Sequence, residues 1–132
     1  MPGQAAVVSI QYRLTGFGLF GGSQIAESGS SNAGLQDQRL ALNWVQRYTA
    51  SFGGDPERVI INGGSAGGGS VIYQLLYNGD EHQPPYAAAV AEFPGLPTLL
   101  NSSQLEVQFL LALSEADCSD ISCLLHSGGR MH

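Results

Sequence analysis

The sequence predicts an α/β protein in which parallel strands surround a sharp turn that carries a serine. First, the β-branched run Val59–Ile61 precedes the glycine-flanked motif Gly63–Gly67 (Gly-Gly-Ser-Ala-Gly), and an apolar helix follows at Ala66–Tyr77. Second, an amphipathic helix between Leu35 and Phe52 lies upstream of that motif, and a strand-like run, Ala5–Leu14, lies before the helix. The order strand, helix, strand is typical of parallel βαβ units.

The composition predicts one globular domain spanning residues 1–132. Hydrophobic residues make up 43% of the 132 residues, which is enough for a core. The formal net charge is −6, and the five basic residues are spread along the chain. Because a nucleic-acid surface needs clustered positive charge, we expect no nucleic-acid partner. A small neutral molecule fits the composition better.

No segment of the sequence predicts membrane insertion or export. The longest apolar runs, such as Phe109–Leu113, fall far short of the roughly 18 residues that span a bilayer. The N-terminal residues 1–10 lack a basic region followed by an apolar stretch of signal-peptide length. The sequence alone therefore leaves the localisation unknown.

The first half of the chain predicts a buried strand, a loop and a helix in that order. Ala5–Leu14 is rich in β-branched and aromatic residues, which predicts a buried, parallel strand. Residues 16–34, rich in glycine and serine, show no periodicity and predict a long loop. The helix that begins near Leu35 has an apolar stripe and ends at Gly53-Gly54. The stripe consists of Leu40 or Ala41, Trp44, Val45, Tyr48 and Phe52.

The second half predicts a further strand and a capped helix. Tyr86–Phe93 is predicted to form a third strand. Ser103 and Glu106 form a capping-box pattern, so we expect a helix over Gln104–Ala116 with its buried face at regular spacing. That face comprises Leu105, Phe109, Leu113 and Ala116. Asp117–His126 should form a turn and a short helix.

The two cysteines, Cys118 and Cys123, are spaced in a way that is compatible with a disulfide across one tight turn. A zinc site would need more ligands, so we expect no metal. Asn101 matches the N-glycosylation pattern, which matters only in the secretory pathway. Both features favour an oxidising compartment weakly.

Ser65 is the candidate nucleophile. Glycine at Gly63 and Gly67 is expected where the backbone reverses so sharply that a Cβ on either side of the serine would collide with its neighbours. The backbone N–H of Ala66, at the start of the following helix, is the candidate oxyanion donor. The sequence therefore supplies candidates for two parts of a serine hydrolase site, the nucleophile and one oxyanion donor. The glycines do not form a phosphate-binding loop, because the sequence contains no lysine and Gly-x-Gly-x-x-Gly does not occur in this cluster.

A general base and an orienting acid are harder to find. His82 follows Ser65 in a loop and is best interpreted as a surface residue, while His126 and His132 lie near the end of the sequence. Glu92, at the end of the third strand, could in principle orient a base. We expect neither the acid nor the histidine of a catalytic triad in this chain.

Four sequence blocks resemble the type-B carboxylesterase and lipase family of the α/β-hydrolase fold, with fungal members closest in pattern. The blocks are Val7–Leu14, Gly34–Val45, Phe52–Pro56 and Gly63–Gly68. The resemblance implies a partial α/β-hydrolase fold and hydrolysis of small-molecule esters through an acyl-enzyme on Ser65, without a cofactor. It also implies that the parent enzyme is secreted, and fungal members have a cysteine pair similar to Cys118 and Cys123.

The sequence departs from this family in two ways. Many members carry Glu at the position of Gly64, and family members are several times longer. We therefore expect a central fragment of an esterase, inactive alone, whose acid, histidine and remaining oxyanion donors lie outside the chain. The family's strand order also predicts an open slot, or a direct non-native pairing, between the strands at Val7 and Val59. Self-association through that sheet edge, or a non-catalytic truncated isoform that binds a partner there, is the alternative function.

Overall fold

The computed structural model describes residues 5–28, 31–77 and 83–126, which fall into two compact units. Unit 1 comprises Met1–Tyr12 and Leu35–Pro97, and unit 2 comprises Arg13–Gly34 and Thr98–His132. That the whole chain forms one partial domain stays a prediction. The elements, in chain order, are α1 (Thr15–Leu19), α2 (Ser23–Ser28), α3 (Ala33–Tyr48), β1 (Ile60–Gly64), α4 (Ala66–Leu76), β2 (Ala88–Glu92), α5 (Ser102–Glu115) and α6 (Ile121–His126).

Unit 1 contains a parallel two-stranded sheet. β1 pairs with β2 in a register that runs from Ile60 opposite Ala88 to Gly64 opposite Glu92, and α4 connects the two strands. Parallel strands require such a crossover, because a hairpin turn would make them antiparallel. This pairing confirms the predicted α/β class and the strand predicted at Tyr86–Phe93.

Residues 5–14 form neither strand nor helix, so the prediction of a buried strand there was wrong. Val7 is 91% exposed and Val8 is 52% exposed. Strand-type residues form a ladder only when a neighbouring strand supplies hydrogen-bond partners, and among the described residues none is placed beside this segment. The sequence preference is therefore present without the structure it favours.

Helix α3 is present as predicted, but its buried face is different. Of the predicted apolar stripe, Val45 is buried and Ala41, the alternative to Leu40, is half-buried, whereas Leu40, Trp44, Tyr48 and Phe52 are 70%, 46%, 41% and 69% exposed. The three aromatic rings shield one another instead, with the Trp44 centroid 5.2 Å from Tyr48 and 6.0 Å from Phe52. The described part of unit 1 does not cover this side of the helix.

Buried amides join α3 to α4. The Gln38 side-chain Nε2 donates to Ser70 Oγ at 3.2 Å, and Gln74 Nε2 donates to the Leu35 carbonyl at 2.8 Å. Gln38 and Gln74 are only 4% and 3% exposed. Since a buried amide is costly unless it is hydrogen-bonded, these bonds fix the position of α4 relative to α3.

A capped turn leads the chain into β1. A 3-10 turn extends α3 to Phe52, and Gly53 ends it with a positive φ of 78°, as the sequence predicted. Asp55 then caps a second 3-10 turn by accepting from the Glu57 N–H at 3.0 Å and from Arg58 Nε at 2.8 Å. The backbone N–H of Glu57, and next the Arg58 guanidinium, lower the pKa of Asp55 below its ordinary value of 3.8.

The Asp55 cap should make stability depend on pH in one direction. Because the folded-state pKa is depressed, the stabilisation is fully present above about pH 3.8 and is lost as the pH falls through the lower, folded-state pKa. We expect Asp55→Asn to lower the urea midpoint at pH 6 and to have a vanishing effect below that folded-state pKa. Glu57→Gln, which removes a charge two positions away without removing the cap, is the control. An Asp55→Asn effect that grows on acidification would contradict the prediction.

Unit 2 is helical, so the predicted loop over residues 16–34 was wrong. Two short helices, α1 and α2, occupy much of it. Phe20, which follows α1, and Ile25 of α2 pack on a core of Phe109, Leu113 and Leu124. Phe109 has no exposed surface and meets Phe20 edge-on, with ring centroids 6.2 Å apart. The prediction that Phe109 and Leu113 form the buried face of α5 is confirmed.

The cap of α5 differs from the predicted one. Asn101, not Ser103, is the N-cap: its side chain accepts from the Gln104 N–H at 3.0 Å, and Gln104 Oε1 accepts from the Asn101 N–H at 3.0 Å. Glu106 instead accepts from the backbone N–H and the hydroxyl of Ser23, at 2.6 and 3.0 Å. Asn101 lies two positions before Ser103, so the helix begins at Ser102 and not at Gln104, and Asn is among the strongest N-cap residues.

A disulfide joins Cys118 to Cys123, with the two Cα atoms 5.5 Å apart, and the predicted turn and short helix are present there as α6. N-glycosylation at Asn101 stays a prediction. Among the described residues, no helix combines the length and apolarity needed to cross a bilayer, and no cluster of three metal-ligating side chains occurs.

Candidate active site

Ser65 occupies the turn between β1 and α4. Its backbone angles, φ 55° and ψ −118°, lie in a region that residues other than glycine rarely adopt. Such strain persists only where the surrounding structure imposes it, and it is common at functional sites. The residue is solvent-exposed, and its hydroxyl makes no capping bond to α4. The side chain is therefore presented at the carboxyl end of β1, free to meet a ligand.

Gly63 allows the chain to turn this sharply. A Cβ added at Gly63 would lie 2.4 Å from the Gly67 carbonyl oxygen, a backbone atom that cannot move aside. The expectation of a collision is therefore confirmed at Gly63. It was wrong at Gly67, where an added Cβ would have no atom within 4 Å, because Gly67 faces an open cavity.

Gly64 also has no atom within 4 Å of an added Cβ. The backbone at Gly64 therefore leaves room for the Glu that many members of the resembled family carry at this position.

The backbone of Ser65 is held from two directions. Its N–H donates to the Glu92 carbonyl at 3.0 Å, which continues the ladder of β1 and β2. Its carbonyl accepts from Gly69 at 3.0 Å and from Gly95 at 2.8 Å. The approach is so close that a Cβ at Gly69 would lie 2.2 Å from the Gly95 carbonyl oxygen. The segment after β2 thus packs directly on the serine turn.

Sequence reasoning missed the contribution of Gly95. The only local signal is Pro94-Gly95 directly after β2, which indicates a turn but not what the turn contacts. The bond to Ser65 depends on where β2 places that turn, and this is a tertiary property.

Ala66 is the first residue of α4. The first four N–H groups of a helix have no intrahelical acceptor, and they lie at the positive end of the helix dipole. The carbonyl oxygen of a substrate bound next to Ser65 would lie close to the Ala66 N–H. That the Ala66 N–H acts as an oxyanion donor stays a prediction.

The backbone of Glu92 lies beside Ser65, because the Glu92 carbonyl accepts from the Ser65 N–H. The Glu92 carboxylate accepts from Asn62 Nδ2 at a long 3.5 Å, and no histidine of unit 1 lies within the described residues. His126 is in unit 2, where its Nδ1 lies 2.6 Å from the Ser122 carbonyl oxygen. His82 and His132 fall outside the described residues. The described part of unit 1 thus brings Ser65, Ala66 and Glu92 together without a base.

A cavity of about 570 Å³ lies beside β1. Its lining includes Val59–Asn62, Gly67 and Ser70 of α4 and, from the first segment of the chain, Ala5, Ala6, Val8, Ile10 and Tyr12. The cavity lies beside β1 where an open slot was predicted, but residues 5–14 form no strand, so a slot between two strands stays a prediction.

A parallel βαβ unit with a strained serine at the turn from strand to helix is the arrangement found in α/β-hydrolases. Solved structures show the same fold. The crystal structure of Aspergillus niger EstA matches with a TM-score of 0.78 and 38% identity, over 86% of this chain and 22% of that one. A pNB esterase matches with a TM-score of 0.71 and 29% identity, over 90% of this chain and 27% of that one.

The sequence profile of the carboxylesterase family matches residues 3–90, so the chain belongs to that family. Carboxylesterase patB of Penicillium expansum is 50% identical over 88 residues, which is 66% of this chain and 16% of that protein. A secreted lipase of Arthroderma benhamiae is 36% identical over 125 residues, covering 92% of this chain and 25% of that protein. The chain thus spans between a sixth and a quarter of the length of these relatives.

Proposed function

We propose that the chain carries the nucleophile of a serine carboxylic ester hydrolase and that Ser65 is that nucleophile. The observation that supports this most strongly is the strained conformation of Ser65 at the junction of β1 and α4, in a chain of the carboxylesterase family. Family membership supports ester hydrolysis, and the geometry supports the choice of residue. The substrate class is a small-molecule carboxylic ester, and no cofactor is needed.

In the proposed reaction, Ser65 Oγ attacks the ester carbonyl carbon while a base removes the hydroxyl proton. The carbonyl oxygen becomes an oxyanion, which the Ala66 N–H stabilises at the N-terminus of α4. Collapse of the tetrahedral intermediate expels the alcohol and leaves an acyl-enzyme, which water then hydrolyses. The Glu92 and Gly95 contacts hold the Ser65 backbone and act through it, so they position the nucleophile and do not react.

The chain alone should be a poor catalyst. One oxyanion donor is a weak site, since losing a single donor costs about 2.7–4 kcal/mol of transition-state stabilisation in a well-studied protease. Ser65 also needs a base, and the sequence suggests none near it. We propose that the acid, the histidine and the other donors belong to the remaining parts of a longer enzyme.

A chimera tests the assignment. We expect the chain, substituted for the aligned segment of Aspergillus niger EstA, to support hydrolysis of p-nitrophenyl butyrate. Ser65→Ala in the chimera should lower kcat/KM by at least about 10⁴-fold, because removing the nucleophile of a serine hydrolase disables the whole catalytic unit. The isolated chain and its Ser65→Ala variant should both show only the background rate.

The matched control in the chimera is Ser51→Ala, which removes an exposed hydroxyl outside the serine turn and should leave kcat/KM within about twofold. A chimera that melts cooperatively but retains activity after Ser65→Ala would disprove the assignment. Turnover by the isolated chain that depends on Ser65 would instead show that these 132 residues complete a site.

A further inference from the structure

Asn101 begins an acceptor pattern for N-linked sugars, and this pattern has no part in ester hydrolysis. The pattern is Asn101-Ser102-Ser103, and Asn101 is the only asparagine of the sequence with serine or threonine two positions later. The middle residue is not proline, which would exclude the modification. The sequence therefore offers one acceptor, and a gain in mass can be assigned to it without ambiguity.

The Asn101 side chain caps α5 with one of its two polar atoms. Its Oδ1 accepts from the Gln104 N–H at 3.0 Å. A backbone N–H can only donate, so the atom that faces it must be the carbonyl oxygen and not the amide nitrogen. Among the described residues no acceptor is bonded to Asn101 Nδ2, which is the atom that a sugar is attached to. The cap and the modification thus use different atoms of the same side chain.

The acceptor pattern lies on the surface, and the geometry of Asn101 is local. All three residues of the pattern are exposed. The two bonds of the capping box join Asn101 to Gln104, three positions along the chain. The orientation of the Asn101 amide is therefore set by the first turn of α5 and not by more distant parts of the fold. A bulky glycan requires such a surface position.

Unit 2 also contains a feature of the compartment in which this modification takes place. Cys118 and Cys123 form a disulfide in the same unit as Asn101. Disulfides form and persist in secreted proteins and in the lumen of the endoplasmic reticulum, and they are rare in the cytosol. N-linked sugars are added in that lumen as well, so the two modifications require the same environment.

We propose that Asn101 is N-glycosylated when the chain enters the secretory pathway, and that the glycosylated side chain still caps α5. The sugar donor is an oligosaccharide joined through its first N-acetylglucosamine to a lipid diphosphate. Asn101 Nδ2 forms a bond to the anomeric carbon of that sugar, and the bond from this carbon to the diphosphate oxygen breaks. The lipid diphosphate leaves with the electron pair, and the amide gives up one proton to a base of the transferring enzyme.

The cap survives this step because the product is still an amide. Asn101 keeps its carbonyl oxygen, so Oδ1 continues to accept from the Gln104 N–H. The backbone N–H of Asn101, which donates to Gln104 Oε1 at 3.0 Å, takes no part in the reaction. We therefore expect the glycosylated chain to be at least as stable as the unmodified chain.

Translation of the full chain, fused to a cleavable secretory leader, in the presence of microsomes tests the site. Chains inside the microsomes, identified by their resistance to added protease, should gain the mass of one oligosaccharide, which peptide N-glycosidase should remove. Ser103→Ala should abolish the gain, whereas Ser103→Thr, which keeps the hydroxyl, should retain it. Because ester hydrolysis by Ser65 does not enter this measurement, the two proposals can fail separately.

Ser102→Pro is the sharpest variant, because it removes the acceptor pattern and leaves the helix start intact. Ser102 is the first residue of α5, where proline is favoured, and the extended backbone of Asn101 (φ −78°, ψ 168°) suits a residue before proline. Ser102→Ala is the matched control and should be modified like the parent chain. An unmodified parent chain inside the microsomes, or equal modification of the two Ser102 variants, would overturn the assignment.

Urea unfolding tests whether the glycan and the cap coexist. The reference is the same sequence made in the bacterial periplasm, where disulfides form. The glycosylated chain should have a urea midpoint equal to or above that of this unmodified chain. Asn101→Ala loses the cap as well as the acceptor and should have a lower midpoint than either. A glycosylated chain that unfolds at the midpoint of Asn101→Ala would show that the sugar displaces the cap, and would overturn that part of the proposal.

Discussion

Phe109→Ala is expected to lower the free energy of unfolding of unit 2 by about 3–5 kcal/mol, as truncation of a buried aromatic ring typically does. Phe109 is the one large side chain of the described residues with no exposed surface, and it contacts Phe20 from the segment before α3. The substitution leaves a cavity between α5 and that segment. Urea unfolding followed by circular dichroism at 222 nm, together with hydrogen exchange of α5, measures the loss.

Leu110→Ala is the control for this prediction, because Leu110 follows Phe109 on the same helix and is 50% exposed. Alanine is the better helix former, so the control should shift stability by less than about 1 kcal/mol. Equal losses in the two variants would mean that the core of unit 2 is not centred on Phe109.

Gly63→Ala is expected to destabilise unit 1 by about 1–3 kcal/mol, the usual range for a group forced into occupied space. The added methyl would lie 2.4 Å from the Gly67 carbonyl oxygen, so either β1 or the first turn of α4 must shift. Trp44 is the only tryptophan of the chain and belongs to unit 1, so its fluorescence during urea unfolding reports this loss.

Gly64→Ala is the matched control, since Gly64 is the next residue of the same strand and an added Cβ there has no atom within 4 Å. Replacing a strand glycine in open space reduces the entropy of the unfolded chain, so this variant should gain up to about 1 kcal/mol. A loss at Gly64 as large as that at Gly63 would show that the turn tolerates a side chain at neither position.

The serine turn could be predicted because its determinants are local. Gly63, Ser65 and the apolar residues on either side specify a strand, a turn and a helix within twenty positions, and the structure has all three. Asn101 and Gln104 are equally local, but two capping patterns overlap there. Glu106 bonds to Ser23, 83 positions away, so it does not complete the capping box predicted with Ser103.

The faces of α3 and the state of residues 5–14 could not be predicted, because both depend on what lies next to them. Apolar spacing identifies Trp44 and Tyr48 as one side of a helix, but burial requires a surface to cover that side. Val7 and Val8 favour a strand, but a strand exists only with a neighbour. In residues 16–34 the structure is more regular than the sequence suggests. Their glycines predicted a loop, but the segment contains two short helices, and Phe20 and Ile25 pack on the core around Phe109.

The bond from Gly95 to the Ser65 carbonyl has a consequence for the order in which the protein is made. Ser65 is added to the growing chain 30 positions before Gly95, and the parallel partner of β1 is also synthesised in that interval. At ribosomal rates of about 5–20 residues per second, Gly95 is added roughly 1.5–6 s after Ser65. During translation Ser65 therefore exists first as an ordinary flexible residue, and it acquires its strained geometry only after β2 and Gly95 have left the ribosome.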